Sequence, residues 1–232
     1  MTWFNHIFPN VVTLGWGGQM GWGTAIAQTL FMTFWSAIFG GLAGLVFGIV
    51  LVVTDKGGLT PNRTVFWIVD KLVSILRAIP FIILLFVLAM LSITQLLAGT
   101  TLGATAALVS LSFGIFPFYA RQVQAALNEV DKGLIEAAES IGASFFDILF
   151  AVYLRESLTT LIRVTTVSLI SLVGLTAMAG AIGAGGLGNT AVTYGYGRFE
   201  NDVTFVATVL IMILVLVIQL VGDFLAKRLS HK

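Results

Sequence analysis

The chain contains no cysteine and very little charge. Of its 232 residues, 10% are charged and 58% are apolar, whereas an ordinary soluble domain is about 25% charged. Without cysteine, disulfides, thiol nucleophiles and cysteine-bound zinc are excluded. The two histidines, His6 and His231, stand at opposite ends of the sequence and cannot form a histidine metal cluster. The composition therefore excludes a soluble globule and predicts a membrane protein.

The few charged residues exclude several functions. The twelve lysines and arginines are scattered, so they form no basic face for nucleic acid. No lysine is followed by serine or threonine after a glycine-rich loop, so the chain has no nucleotide-binding P-loop. All eleven acidic residues lie in loops or at the ends of apolar runs, which argues against proton coupling. We therefore expect no catalytic residue, no cofactor and no metal site, and we expect any energy source to lie on another subunit.

Uncharged apolar runs predict an all-α integral membrane protein with five transmembrane helices. A helix needs about 20 apolar residues to cross a hydrocarbon core of about 30 Å. The long uncharged interval between Arg77 and Arg121 holds two such runs, joined by a turn at residues 94–103. The predicted spans cover residues 24–53, 74–94, 103–120, 163–184 and 203–224.

The distribution of cations predicts the orientation of these spans. Eleven of the twelve lie on one side of the layout, and Arg198 lies on the other. Because Lys and Arg are retained on the cytoplasmic side during insertion, the N-terminus is predicted outside and the C-terminus inside. Residues 1–23 then form an outer segment and residues 227–232 an inner tail. The outer segment carries tryptophans that suit a membrane interface, namely Trp3, Trp16 and Trp22.

The second inner loop, residues 121–162, is amphipathic rather than uniformly apolar. Asp131 is a predicted N-cap for a short helix that ends before Gly142, a residue suited to a positive-φ C-cap. Ser144 and Asp147 form a capping pattern that opens a second helix over residues 145–154. The apolar side of the first helix comprises Leu134, Ile135, Ala138 and Ile141. Composition alone also allows a loop that simply lies on the membrane surface.

The same loop carries a pattern with a known counterpart. Glu136-Ala137-Ala138 is followed after three residues by Gly142, and after nine more by Val152-x-Leu154. This pattern resembles the EAA motif in permease subunits of binding-protein-dependent ABC importers, with Arg155 where the family usually has proline. The resemblance implies a coupling helix that docks into a cleft of a separate ATPase subunit. The docking residues that it implies are Glu136, Ala137, Ala138, Gly142, Ala143 and Ser144.

Further segments extend the resemblance over nearly the whole chain. They cover residues 77–85, 117–121, 133–137, 183–188, 194–196 and 219–223. Together with the five-span layout, they are similar to the permeases of methionine importers. The resemblance implies a type I ABC importer permease fold in the bacterial cytoplasmic membrane. It also implies a complex of two copies of this chain, two ATP-binding cassette subunits that bind the ATP, and an external methionine-binding lipoprotein. That complex would move methionine inward by alternating access.

Glycines mark two further features of the sequence. Gly183-x-Gly185-x-x-Gly188 matches a dinucleotide-binding fingerprint only in its letters, because a membrane helix and not a strand precedes it. A tight bend or broken helix near the outer mouth is predicted instead. Gly40, Gly44 and Gly48 form a stripe in the first span that favours close helix packing, either within the chain or across a dimer.

Several residues are candidates for the transport pathway or its gate, namely Pro80, Thr176, Met178, Gly185 and Gly186. Pro80 lacks a backbone donor and predicts a kink near a span end. The fourth span is rich in hydroxyl groups, as a helix lining a pathway would be. Simple packing kinks and interhelical hydrogen bonds explain the same residues as well.

Alternatives to a methionine importer stay open at this point. An ABC permease for another small solute, such as an osmoprotectant, a phosphonate or another amino acid, would share the glycine run. A secondary carrier or an ion channel would share the apolar spans. The loop at residues 136–154 favours an ABC permease, because a self-contained carrier or channel needs no docking loop.

Overall fold

The computed structural model describes residues 7–18 and 20–229. Trp3, His6 and His231 lie outside these residues. Within the described ranges the chain is helical and has no strand, which confirms the all-α prediction. In chain order the helices are α1 (Pro9–Leu14), α2 (Trp22–Thr54), α3 (Arg63–Ala78), α4 (Phe81–Met90), α5 (Ile93–Ala98), α6 (Gly103–Asn128), α7 (Lys132–Ser140), α8 (Phe145–Leu154), α9 (Leu158–Ala179), α10 (Gly186–Asn189) and α11 (Asn201–Leu229).

Four described helices, α2, α6, α9 and α11, are long and apolar enough to cross a membrane. They contain the spans predicted at 24–53, 103–120 and 203–224 and most of the span predicted at 163–184. The observed helices extend beyond the apolar runs, because a backbone hydrogen-bond ladder continues wherever the next residues tolerate helical angles. In α6 the ladder continues past Pro117, which lies inside the helix.

The span predicted at 74–94 is wrong as a single helix. The chain there forms α3 and α4, whose axes differ by 103° across a break at Ile79 and Pro80. Proline has no N–H for the helical ladder and pushes the preceding residue into extended backbone, and Ile79 has φ −78° and ψ 120°. Counting this bent pair as one span gives five. The turn predicted at 94–103 contains a further short helix, α5.

The glycine stripe of α2 packs against α6 of the same chain. A Cβ added at Gly40 would lie 2.8 Å from the Ser112 carbonyl oxygen, and one at Gly44 would lie 2.9 Å from that of Phe116. At Gly48 the corresponding atom is the Ala120 carbonyl oxygen, at 2.7 Å. These distances leave no room for a side chain, so the stripe brings two backbones together within the chain.

The short helix α1 is fixed at the opposite end of the bundle from the amphipathic loop. The Asp202 carboxylate, at the start of α11, accepts hydrogen bonds from the Asn10 backbone at 2.9 Å and the Asn10 side chain at 3.0 Å. The Trp22 indole donates to the Val11 carbonyl at 2.9 Å. Trp22 is 5% exposed, so its predicted interfacial position is wrong, whereas Trp16 is 75% exposed.

Candidate functional site

The amphipathic loop folds as two short helices with capped ends, as predicted. The Asp131 side chain accepts a hydrogen bond from the Gly133 N–H at 2.8 Å and caps α7. Ser144 and Asp147 form the reciprocal capping box that begins α8. The hydrogen bonds from Ser144 lower the pKa of the Asp147 carboxyl, because they stabilise its charged form. Most of α8, from Ile148 to Leu154, is π-helical.

Gly142 makes the sharp bend between the two helices. Its φ is +78°, and no atom lies within 4 Å of the position that a Cβ would occupy. Its N–H donates to the Glu139 carbonyl at 3.0 Å, and the next N–H, of Ala143, donates to Ala138 at 3.1 Å. These bonds satisfy carbonyls at the end of α7 that would otherwise lack partners. Glycine is needed here for its backbone angle alone.

The inner side of the loop is anchored on the helix bundle. Ile135, Ala138, Ala143 and Phe145 pack against a buried cluster that includes residues of α2, α6 and α8. Tyr153 belongs to this cluster and also lines a small cavity of about 110 Å³ beneath α7. Burial, and secondarily the nearby negative charge of Glu139, raises the pKa of the Tyr153 hydroxyl. The loop is therefore seated on the core and does not hang free of it.

The outer side of the loop forms an exposed surface, which we call the coupling surface. It consists of Glu136, Ala137, Ile141, Phe146 and Phe150. Ile141 is 86% exposed, and the Phe146 and Phe150 rings stack with centroids 6.4 Å apart. The predicted apolar side of α7 is thus divided, because Ile135 and Ala138 face the core while Leu134 and Ile141 face outward. An exposed apolar surface of this kind is typical of a protein interface.

The predicted docking residues divide in the same way. Glu136, Ala137, Gly142 and Ser144 are exposed, whereas Ala138 and Ala143 are partly buried against the core. Arg155 keeps helical angles, with φ −71° and ψ −48°. The backbone therefore stays helical at this position.

Sequence reasoning missed an ion pair close to this loop. Arg121, in the last third of α6, forms an ion pair with Asp70 of α3 and donates to Ser74 at 2.8 Å. It also donates to the neighbouring Gln124 at 2.8 Å. The two charges are 51 residues apart in sequence, so no local spacing could have revealed the pair. It ties the bent segment α3–α4 to the helix that leads into the coupling surface.

The glycine-rich segment forms the predicted break. Ile182 and Gly183 leave the helical region, and Gly183, Gly185 and Gly186 have φ of +98°, +86° and +77°. At the start of α10, the Gly186 N–H donates to the Gln28 side-chain oxygen at 2.7 Å. The next N–H, of Leu187, donates to the Thr29 hydroxyl at 2.8 Å. Two side chains of α2 thus cap the helix that follows the break.

The five candidate pathway residues do not form one site. Pro80 lines a cavity of about 380 Å³ with Gly114 and Ser171, while Gly185 and Gly186 contact α2. Thr176 is 2% exposed and donates to the Val173 carbonyl at 2.7 Å, whereas Met178 is 43% exposed. Most hydroxyls of α9 bond to carbonyls of their own helix, which favours the structural interpretation of this polar density.

No group of three or more metal-binding side chains occurs among residues 7–18 and 20–229. The notable features of the described chain are the exposed apolar coupling surface and the broken helix.

Comparison with known proteins bears on both features. Residues 44–232 match the family described as binding-protein-dependent transport system inner membrane component. The methionine import system permease protein MetP of Bacillus subtilis is 48% identical over 230 residues, covering 99% of this chain and 100% of MetP. The probable D-methionine transport system permease protein MetI of Pasteurella multocida is 43% identical, covering 90% of this chain and 96% of MetI.

Solved structures agree with this relationship. A chain of the MetNI methionine ABC transporter, in inward-facing conformations, superposes with a TM-score of 0.86 at 41% identity, covering 90% of this chain and 95% of that one. An amino acid ABC transporter shares the fold at 15% identity, with a TM-score of 0.74. The chain has the type I ABC importer permease fold and belongs to the family of binding-protein-dependent transport system inner membrane components.

Proposed function

We propose that this chain is the permease subunit of an ATP-driven importer that carries methionine inward across the bacterial cytoplasmic membrane. The observation that carries the proposal is near full-length similarity to named methionine permeases, at 48% identity for MetP. The importer contains two copies of this chain, two ATP-binding cassette subunits and an external methionine-binding lipoprotein. Methionine crosses between the two permeases by alternating access.

Energy enters this importer through the coupling surface. The sequence has no P-loop, so ATP is bound and hydrolysed by the partner subunit. Exposed Ile141, Phe146 and Phe150 provide apolar anchors for that subunit. Because Ile135 and Phe145 pack on the bundle core directly behind them, a displacement of the docked subunit is transmitted to the membrane helices. The permease contributes docking and the pathway, and it contributes no catalytic residue.

The test uses proteoliposomes that contain the permease, its ATPase and the binding lipoprotein. We expect methionine accumulation only when ATP is present on the side of the coupling surface. An imposed proton or sodium gradient should not replace ATP. Accumulation driven by a gradient with the permease alone would make the chain a secondary carrier. ATP-driven uptake of a betaine or phosphonate in place of methionine would retain the mechanism and refute the substrate.

The orientation is tested separately by cysteine labelling, which is convenient because the chain has no cysteine. Thr64→Cys, at the start of α3 and outside the coupling surface, and Phe199→Cys place single thiols at exposed residues. In intact cells, a membrane-impermeant maleimide should label position 199 and spare position 64. The reverse pattern would place the N-terminus inside.

A further inference from the structure

Arg77, in the last turn of α3, is a cation without a partner among the described residues. Its side chain is exposed and forms no hydrogen bond or ion pair with any of them. The one acid of α3, Asp70, already forms an ion pair with Arg121 of α6. An arginine guanidinium stays charged in proteins and offers five hydrogen-bond donors. Arg77 is therefore free to bind an anion from outside the chain.

This arginine lines a cavity of about 380 Å³ between α6, α9 and the break that separates α3 from α4. The volume falls within the ~300–1,000 Å³ of sites for small molecules. Pro80 lines the cavity at the break, Gly114 lines it from α6 and Ser171 from α9. Among the described residues in its wall, Arg77 is the only charged one, and most of the others are apolar. The cavity therefore combines one unpaired cation with a largely apolar wall.

The chemistry of this wall restricts the occupant. A guanidinium binds a carboxylate through two parallel hydrogen bonds, which are stronger than those between neutral groups. The apolar residues suit a flexible hydrocarbon or thioether chain. No acidic side chain among the lining residues is available to an ammonium group, so an ammonium keeps its hydration best where the cavity is open to water. The wall thus matches the acid end and the side chain of an apolar amino acid, and it offers nothing to the amine.

We propose that this cavity binds the transported amino acid, with the carboxylate on the Arg77 guanidinium and the side chain against the apolar wall. The ammonium group stays hydrated at the opening. The proposal rests on the proposed function and adds a substrate-binding residue at the break between α3 and α4. The phosphate of a lipid headgroup has the same anionic chemistry, so the experiment must separate a soluble carboxylate from a lipid.

The experiment uses the complex of the permease with a cysteine-free ATPase in maltoside micelles. The binding protein is omitted, because its own selectivity would mask that of the permease. Ser171→Cys places a thiol of similar size in the cavity wall, where methyl methanethiosulfonate reports occupancy. Methionine and its deaminated analogue, which keeps the carboxylate, should slow labelling equally. Methioninol, which lacks the carboxylate, should need a concentration about tenfold higher or more, the effect of losing a charged hydrogen bond.

Variants of the arginine assign the effect to its charge. Arg77→Gln should raise the methionine concentration for half-protection about tenfold and remove the preference for the acid. Arg77→Lys should retain most of that preference, because the charge remains although the paired geometry is lost. Arg63→Gln is the matched control, since it removes the same charge from the other end of α3, outside the cavity. It should leave protection unchanged.

A second control tests whether protection is local. Ser112→Cys lines a separate apolar cavity of about 650 Å³ and should label at the same rate with or without methionine. Equal protection of position 171 by methionine and methioninol would overturn the proposal. That comparison uses no arginine variant, so it decides the matter even if the Arg77 variants misfold. An equal loss of preference in Arg63→Gln and Arg77→Gln would also overturn it, because surface charge in general would then be responsible.

Added phosphatidylglycerol tests the lipid source. If this lipid slows labelling at position 171 in an Arg77-dependent way and methionine does not, the cavity belongs to a lipid headgroup and the proposal is overturned. Protection by methionine in micelles without added lipid supports the soluble carboxylate.

The proposed function and the cavity fail in distinguishable ways. ATP-driven methionine uptake by the complete system, with no protection at position 171, would refute the cavity and retain the importer. Carboxylate-dependent protection by methionine without any ATP-driven uptake would retain the binding site and refute the importer.

Discussion

The coupling surface and the broken helix both depend on glycines with positive φ, but their surroundings differ. Gly142 has open space around it, and neighbouring caps hold its bend. Gly185 and Gly186 are packed against Gln28 and Thr29. These two side chains accept hydrogen bonds from backbone N–H groups that lie 158 residues away in sequence. One end of the molecule is shaped by local hydrogen bonds and the other by contacts between distant helices.

This difference predicts which amino-acid substitutions each end of the molecule tolerates. A surface shaped locally can be altered at its exposed positions without disturbing the bundle, because its neighbours are mostly solvent. A segment shaped by distant contacts has no such freedom. Each atom added there meets backbone of another helix that cannot move aside. We therefore expect substitutions in the glycine-rich segment to damage folding and substitutions in the coupling bend to damage transport.

The largest effect is expected at the broken helix. In Gly188→Ala the new Cβ would lie against the Ala177 carbonyl oxygen and 2.5 Å from the Ala177 Cα. Fixed backbone cannot move aside as a side chain can, so stability should fall by about 1–3 kcal/mol or more. Thermal unfolding of the purified permease measures the loss.

The matched control for this prediction is Gly174→Ala in α9, where no atom lies within 4 Å of the added Cβ. That variant should unfold at or above the wild-type temperature, because alanine favours a helix over glycine by roughly 0.5–1 kcal/mol. Equal unfolding temperatures for Gly188→Ala and Gly174→Ala would show that the close approach to Ala177 does not require glycine at position 188.

Gly142→Val should abolish ATP-driven uptake while leaving the permease inserted and folded. The site has room for the side chain, so the cost is the left-handed backbone, about 1–2 kcal/mol. The backbone relieves this strain if α7 straightens or tilts, and either movement displaces the coupling surface. Uptake and co-purification with the ATPase are measured in the same preparation.

Gly142→Asn serves as the control, because asparagine tolerates left-handed backbone better than other side chains. It should retain most of the uptake. Wild-type uptake by the valine variant would remove this bend from the coupling mechanism.

Asp202→Ala should release α1 from α11. The substitution removes the acceptor of the Asn10 backbone and side-chain hydrogen bonds, a loss of roughly 1 kcal/mol for partly exposed charged bonds. Trp22 emission, recorded with the other tryptophans replaced by phenylalanine, should shift to the red as its indole loses Val11. Glu200→Ala changes a neighbouring acid outside this contact and should leave the emission unchanged. A shift of equal size in both variants would mean that charge alone, and not the Asn10 contact, holds α1.

Ser144→Ala is expected to have the smallest effect. It removes the hydroxyl half of the capping box of α8 and leaves the half supplied by Asp147, so the loss should lie at the low end of the range for a helix cap, about 0.5 kcal/mol. Uptake should fall modestly, whereas Ser140→Ala, whose hydroxyl only donates to the Glu136 carbonyl, should not change it. Unchanged uptake in both would show that the packing of Phe145 suffices to place α8.

The same cap should weaken in acid. The folded pKa of Asp147 is lowered, so its contribution is complete above the ordinary aspartate pKa of about 3.9 and is lost as the pH falls through the folded value. Hydrogen exchange at the start of α8 should rise over that range in the wild type. A rise of the same size in Asp147→Asn would assign the effect to another group.

The sequence by itself determined the features that depend on neighbouring residues. The lengths of the apolar runs predicted five spans, because backbone groups in lipid must be satisfied within the helix, and four of the five correspond to long apolar helices. Asp131, Gly142 and Ser144 predicted the caps and bend of the coupling loop, since a cap acts within three or four residues. The orientation predicted from the cations remains to be tested by labelling.

Only the tertiary structure decided the features that join distant segments. Pro80 predicted a kink, but the 103° turn became visible only where α4 packs on α6. The pairing of Arg121 with Asp70 and the capping of Gly186 by Gln28 have no local signal. Each depends on which helix faces which, and that is fixed by the packing of the whole bundle and not by the spacing of residues along one helix.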